Sequence, residues 1–210
     1  MNRKLNVAKN EYLKQKKFYV FLLTFILVGI ISGIIFIFFI NESDKINVIN
    51  EIKSFFNLVK TSDGINYSKS LVNSLLVNIG YVVLIWLLGI SIIGLPLIII
   101  ILFMKSFIFG FSISSIITCY GFKGVLGAFL YTFPHQVIVL IIYLLLSFYS
   151  MAFCFKLFSY LFLKKNINFR SAMKKYVKIL IISLVIVICV SFYEVFLSTY
   201  FIKLFTLLLK

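Results

Sequence analysis

Residues 18–40 read FYVFLLTFILVGIISGIIFIFFI, an apolar stretch without a single charge. A helix rises about 1.5 Å per residue, so this stretch spans the roughly 30 Å hydrocarbon core of a bilayer with some tilt. It is too long for the apolar region of a signal peptide, and no small-residue pattern marks a cleavage site before Asn41. The stretch therefore predicts an uncleaved transmembrane helix.

Further apolar stretches lie at residues 71–93, 97–117, 136–163 and 179–201. Hydrophobic residues make up 62% of the 210-residue chain, charged residues make up 13%, and the mean hydropathy is +1.12. Soluble domains have about 45–50% apolar and about 25% charged residues, so a soluble protein is excluded. We expect an all-α integral membrane protein with about five transmembrane helices in a single polytopic domain, 1–210.

The basic residues are sorted into two blocks, one in residues 1–17 and one between Lys164 and Lys178. Because basic flanks stay in the cytoplasm, we expect 1–17 to be a cytoplasmic tail and the carboxyl terminus to be extracytoplasmic. The net charge of +15 suits contact with anionic lipid headgroups. No nucleic-acid partner is expected, since the cations flank the spans and are not interleaved with aromatic and polar residues.

Residues 41–70 form the longest polar segment, in which acidic and basic side chains balance, and we expect an extracytoplasmic loop there. Apolar residues recur within it at three- and four-residue spacing, which predicts a short amphipathic helix. That helix lies either on lipid or the protein's own bundle, or on a partner. The candidate partner contacts are Val48, Ile52, Phe55 and Val59.

The two prolines of the chain mark breaks between helices, because proline has no amide proton for a continuing helix. Gly94 and Pro96 predict a cytoplasmic turn between the second and third spans. The segment 125–133, which Pro134 ends, is apolar but too short to cross a bilayer. It is either an interfacial helix or one arm of a re-entrant segment.

Three ionisable residues fall inside or at the edge of apolar stretches: Lys105, His135 and Glu194. Charges at membrane depth are costly unless they pair or reach the interface. Helical rise offsets Lys105 and Glu194 by about 9 Å, so long side chains or a water could link them, and His135 could join Glu194 instead. These residues either line a proton or solute pathway or form buried contacts that fix the bundle, and the second interpretation is favoured.

Small residues recur at four-residue spacing on two of the predicted spans. They are Gly29 and Gly33 in the first span and Ser106, Gly110 and Ser114 in the third. Such faces allow close approach of helix backbones. We expect them to build the protein's own bundle, while a homo-oligomer stays open.

Catalysis is poorly supported by the sequence. The chain has one histidine and contains no HExxH, GxSxG or P-loop motif, and no paired carboxylates beside a nucleophile. Cys119, Cys154 and Cys189 are widely spaced and read as small packing residues. We therefore expect no enzyme activity, no cofactor and no metal, and an intramembrane hydrolase is the weakest hypothesis.

The chain resembles the stage II sporulation protein M family of endospore-forming bacteria. The resemblance rests on an ordered series of short motifs and covers nearly the whole chain. The motifs are LLGISIIGLP at 87–96, Lys105, FPHQ at 133–136 and FYEVF at 192–196.

This resemblance implies a role in engulfment, when the mother-cell membrane migrates around the forespore. It implies a multi-pass protein at the sporulation septum that assembles two wall-degrading partners, the stage II sporulation proteins D and P. Hydrolysis of peptidoglycan would then belong to the partners. The competing hypothesis is a transporter or channel component that uses Lys105, His135 and Glu194.

Overall fold

The computed structural model describes residues 2–61, 66–163 and 168–208, which form seven α-helices and no β-strand. The helices are α1 Asn2–Phe36, α2 Glu42–Thr61, α3 Tyr67–Leu88, α4 Gly94–Tyr120, α5 Phe122–Tyr131, α6 Phe133–Leu163 and α7 Phe169–Leu208. Five segments are long and apolar enough to cross a membrane: Lys16–Phe36, Tyr67–Leu88, Gly94–Tyr120, Phe133–Tyr160 and Phe169–Ile202. The prediction of an all-α chain with five membrane helices is confirmed, and the direction of the termini stays a prediction.

The long helices run in two directions, which gives the bundle two ends. Helices α1, α4 and α7 run one way, while α3 and α6 run the other way. The end where α1 and α4 finish carries α2 and α5, and we call it the α2 end. The opposite end holds Lys16, the turn 89–93 and Phe169, and we call it the basic end. Lys164 and Lys165 of the second basic block lie outside the described residues.

Helix α6 is the central helix of the bundle, because a larger share of its span is buried than of any other span. Its Tyr143 and Leu146 are fully buried against Val82 of α3 and Leu102 of α4. The outward faces of the other spans carry exposed apolar side chains such as Val185. Exposed apolar surface of this kind is expected where lipid is the solvent.

Helices α1 and α4 meet through small residues. A Cβ added at Gly29 would collide with the Ser106 side chain, and one at Gly33 would collide with the backbone of Phe107. Gly110 of α4 lies equally close to the backbone of Ile30. The small-residue faces of the two spans are therefore occupied inside the bundle, and Ser114 is also buried.

Both prolines lie in the first turn of a helix rather than after the last turn of one. Helix α4 begins at Gly94, and Pro96 sits where its missing amide proton is not needed. Helix α3 ends at Leu88, five residues before the expected limit of 71–93, and Gly94 packs against the Leu88 carbonyl. Likewise, Pro134 is the second residue of α6.

Other segments also differ in extent from the sequence expectation. Helix α7 starts at Phe169, ten residues before the expected span 179–201, and continues to Leu208. Most of the apolar segment 125–133 belongs to α5, a separate short helix that packs on α4, α6 and α7, while Phe133 is the first residue of α6. Gly121 joins α4 to α5 with a φ of 58°, a conformation that glycine adopts without strain.

Candidate functional site

A polar cluster joins α3, α6 and α7 inside the half of the bundle nearer the α2 end. The Ser74 hydroxyl donates a hydrogen bond of 2.6 Å to Glu194 Oε2. The Asn78 amide nitrogen donates to Ser191 Oγ at 3.2 Å and lies 3.5 Å from Glu194 Oε2. His135 Nε2 lies 3.8 Å from Glu194 Oε1. Glu194 of α7 is thus the common partner of groups from two other helices, α3 and α6.

Helical spacing explains why these side chains meet. On α3, Ser74 and Asn78 are four residues apart, and on α7, Ser191 and Glu194 are three apart, so each pair occupies one helix face. His135 is the third residue of α6 and enters the cluster from the α2 end. Sequence analysis missed Ser74, Asn78 and Ser191, although their four- and three-residue spacing within apolar spans is a signal that could have found them.

Lys105 lies close to this cluster but contacts it differently from the expectation. Its Nζ sits 3.7 Å from the centre of the Tyr81 ring and 5.9 Å from that of Tyr143. Glu194 attracts Lys105 electrostatically, yet no ion pair joins them among the described residues. The sequence suggested that Glu194 contacts either Lys105 or His135, and in the structure it contacts His135.

A cleft of about 870 Å³ brings Lys105, His135 and Glu194 onto one surface. It extends from the exposed residues Asn66 and Lys69, at the start of α3, down to Lys105. A second cavity of about 540 Å³ lies on the other side of α2, against α4. Phe55, His135 and Glu194 line both cavities, so α2 lies over the His135–Glu194 pair.

The polar lining stops at the level of Lys105. Tyr143 donates toward the Asn78 carbonyl and side-chain oxygens, each at 3.4 Å. Toward the basic end, the described residues Val82, Ile98 and Leu102 are apolar and fully buried, and none of them lines the cleft. The cleft is therefore closed toward the basic end.

The amphipathic helix α2 lies on the protein's own bundle. Phe56 and Val59 are 2% and 3% exposed, and they pack on Ile202 together with aromatic residues of α4 and α5. Ile52 and Val48 are half-buried, whereas Phe55 is 42% exposed. Val59 is therefore occupied inside the molecule, and Phe55 is the candidate contact residue that remains most accessible.

The geometry of the cluster differs from that of a metal site and from that of a serine hydrolase. The described residues contain no group of three or more His, Cys, Asp or Glu side chains that could hold a metal ion. Ser74 bonds directly to the carboxylate, whereas serine hydrolases place the histidine between the two. Burial raises the pKa of Tyr131, and the charge of Glu194 raises it further, so its phenol stays protonated beside the cluster.

The three cysteines lie far apart. Cys154 is buried and its thiol lies 3.5 Å from the Ser91 carbonyl. Cys119 is half-buried, with its thiol 3.9 Å from the Ile49 carbonyl of α2, while Cys189 is exposed on the outside of α7. All three are free thiols.

Comparison with known proteins identifies a family. The family model described as Stage II sporulation protein M matches residues 21–199, which include all seven residues Ser74, Asn78, Tyr81, Lys105, His135, Ser191 and Glu194. No curated protein and no solved structure matches the chain significantly.

Proposed function

The chain belongs to the stage II sporulation protein M family, and we propose that it is a non-enzymatic membrane scaffold for engulfment of the forespore. The five membrane helices and the family match make it a sporulation-related membrane protein. In the proposed role it gathers the wall-degrading stage II sporulation proteins D and P at the septum and in the engulfing membrane. In this role, proteins D and P hydrolyse the peptidoglycan.

The observation that carries the proposal is the division of α2 into a docked face and an exposed face. Phe56 and Val59 fix the helix to the bundle. Beside them, Ile46 and Phe55 are 56% and 42% exposed, next to charged residues such as Glu51 and Lys53, and the Phe55 ring also contacts Tyr131 of α5 at a centroid distance of 5.7 Å. A rigidly held helix with exposed apolar side chains in a polar surround resembles a protein-binding surface.

The charge pattern supports an outward position for this surface. Lys16, Arg170 and Lys178 lie at the basic end, and the positive-inside bias assigns that end to the cytoplasm. The α2 end then faces the wall, where proteins that cut peptidoglycan act. Partners anchored in the same membrane meet α2 at a raised effective concentration, so a modest surface is sufficient.

The transporter alternative gains less support. It would need a polar path across the bundle, and no described residue on the basic side of Lys105 lines the cleft. The Glu194 cluster instead has the form of a structural joint, in which one carboxylate holds three helices together. A scaffold needs such a joint but no pathway.

Recovery of partners from sporulating cells tests the scaffold role. An affinity-tagged chain should recover proteins D and P, and Phe55→Glu should lower that recovery because it places a charge in the exposed face of α2. Phe122→Glu is the matched control, since Phe122 is 91% exposed on α5, outside α2. Equal recovery by all three proteins, at equal abundance in the membrane, would overturn the proposal.

A further inference from the structure

The Lys105 ammonium has no hydrogen-bond acceptor and no ion-pair partner among the described residues. Its Nζ lies over the face of the Tyr81 ring, 3.7 Å from the ring centre. Glu194, the carboxylate that attracts it, is engaged by Ser74 and His135. The cleft therefore holds a satisfied negative charge and an unsatisfied positive one.

The position of Lys105 makes this imbalance costly. It lies eleven residues after Gly94 in α4, about 16 Å along the helix axis, which is near the middle of the span. A cation at such depth is unfavourable unless it finds a partner. The ring of Tyr81 offsets part of that cost through its electron-rich face, but it supplies no acceptor for the three N–H groups.

The cleft gives an anion a route to Lys105. It starts at the exposed residues Asn66 and Lys69 and follows α3, and Lys69 precedes Tyr81 by twelve residues, or about 18 Å of helix. Lys69 adds a second positive charge at the mouth, and among the described residues Glu194 is the single carboxylate that lines this cleft. An excess of positive charge in a low-dielectric cleft concentrates anions.

The closed inner end indicates binding rather than passage. No described residue on the basic side of Lys105 lines the cleft, so an anion that reaches the ammonium has nowhere further to go. A volume of about 870 Å³ lies within the usual range of small-molecule sites, about 300–1,000 Å³.

We propose that this cleft binds an oxyanion, a carboxylate or phosphate group, which enters at the α2 end and pairs with Lys105. Lysine acts as a point charge and accepts either group. Val72 and Leu76, beside the cleft on α3, are 55% and 68% exposed on the lipid side. The group can therefore come from a free anion or from a lipid headgroup. The site does not depend on the scaffold role.

Lysine NMR of the full-length chain tests the site. The protein is placed in phosphatidylcholine nanodiscs with its lysines ¹³C-methylated, and the Lys105 signal is identified by its loss in Lys105→Arg. One arm adds inorganic phosphate or acetate, and the other replaces part of the lipid with phosphatidylglycerol. We expect a saturable shift of the Lys105 signal in at least one arm, which identifies the source of the anion.

Two variants make the result specific. Bound phosphate, acetate or phosphatidylglycerol should raise the unfolding temperature of the chain. Lys105→Met should need at least about tenfold more of the same anion for an equal rise, because a charge-assisted bond is lost. Lys123→Met, an exposed lysine of α5 outside the cleft, should behave as the unsubstituted chain. The site is refuted if neither arm shifts the Lys105 signal, or if Lys105→Met responds as the unsubstituted chain does.

Discussion

Ser74 and Glu194 lie 120 positions apart in the chain, yet the hydroxyl of Ser74 donates a hydrogen bond of 2.6 Å to the Glu194 carboxylate. The bond fixes α3 against α7 at membrane depth, where no bulk water replaces a lost partner. Toward the basic end, the Tyr176 hydroxyl of α7 donates to the Trp86 carbonyl of α3, also at 2.6 Å. The two helices are thus joined by polar contacts at two levels.

Glu194→Gln removes the charge and keeps the shape of the side chain. We expect the free energy of unfolding in detergent micelles to fall by about 1–2 kcal/mol, because a charge-assisted bond becomes neutral and His135 loses its partner. In a double-mutant cycle with Ser74→Ala, the coupling energy should be at least roughly 0.5 kcal/mol. Ser70→Ala, one turn earlier on α3, serves as the control. Additive losses would show that the two residues do not interact.

Gly33→Ala and Gly110→Ala should each destabilise the bundle by about 1–3 kcal/mol, because the added methyl meets backbone atoms that cannot yield. Gly80→Ala is the matched control, since a Cβ there meets no described atom within 4 Å. Thermal unfolding in micelles measures the difference. Should Gly33→Ala melt at the temperature of Gly80→Ala, the close approach of α1 and α4 would be wrong.

Cysteine cross-linking tests the docking of α2. The thiol of Cys119 lies 3.9 Å from the Ile49 carbonyl, so Ile49→Cys should form an intramolecular disulfide with Cys119 when an oxidant is added. The exposed neighbour Asn50→Cys should form much less, and Cys119→Ser should abolish the product. Non-reducing gels of the intact chain measure the yield. Equal yields at positions 49 and 50 would mean that α2 is not held in this orientation.

Tyr176→Phe should weaken the other joint between α3 and α7. The phenol contacts the Trp86 carbonyl and Ser150 Oγ, at 2.6 and 3.0 Å, and its ring stacks on Trp86. We expect a loss of about 1–2 kcal/mol, since the Trp86 carbonyl at the end of α3 then keeps only the Gly89 amide as a donor. Trp86 is the single tryptophan, so its fluorescence reports the change locally. Tyr149→Phe, at an exposed tyrosine, should leave both readouts unchanged.

The sequence predicted the five spans because hydropathy dominates the energetics of a membrane chain, and it located Lys105, His135 and Glu194 because a charge stands out in an apolar run. It did not predict the partners of those charges. Ser74 and Asn78 are neutral polar residues that occur on many helices, and the place of Tyr81 beside Lys105 depends on how α3 packs on α4. Tertiary packing alone decides such pairs.

The sequence also did not predict at which residues helices begin and end, or what covers an amphipathic helix face. Pro96 marks a break, but it does not reveal whether the break precedes or follows it, and α4 in fact begins two residues earlier. The spacing of Val48, Ile52, Phe55 and Val59 predicted a helix without indicating what covers it. The bundle covers Val59 and leaves Phe55 accessible.

Site-specific photo-cross-linking in sporulating cells tests the central claim most directly. A photoreactive residue at position 55, on the exposed face of α2, should capture the wall-degrading proteins D or P, while the same residue at position 56, which is buried, should capture only the chain itself. Positions 55 and 56 are adjacent in the chain but differ in exposure, so position 56 is a control for position 55. Capture of neither protein from position 55, in cells where both are present in the same membrane, would contradict the scaffold account.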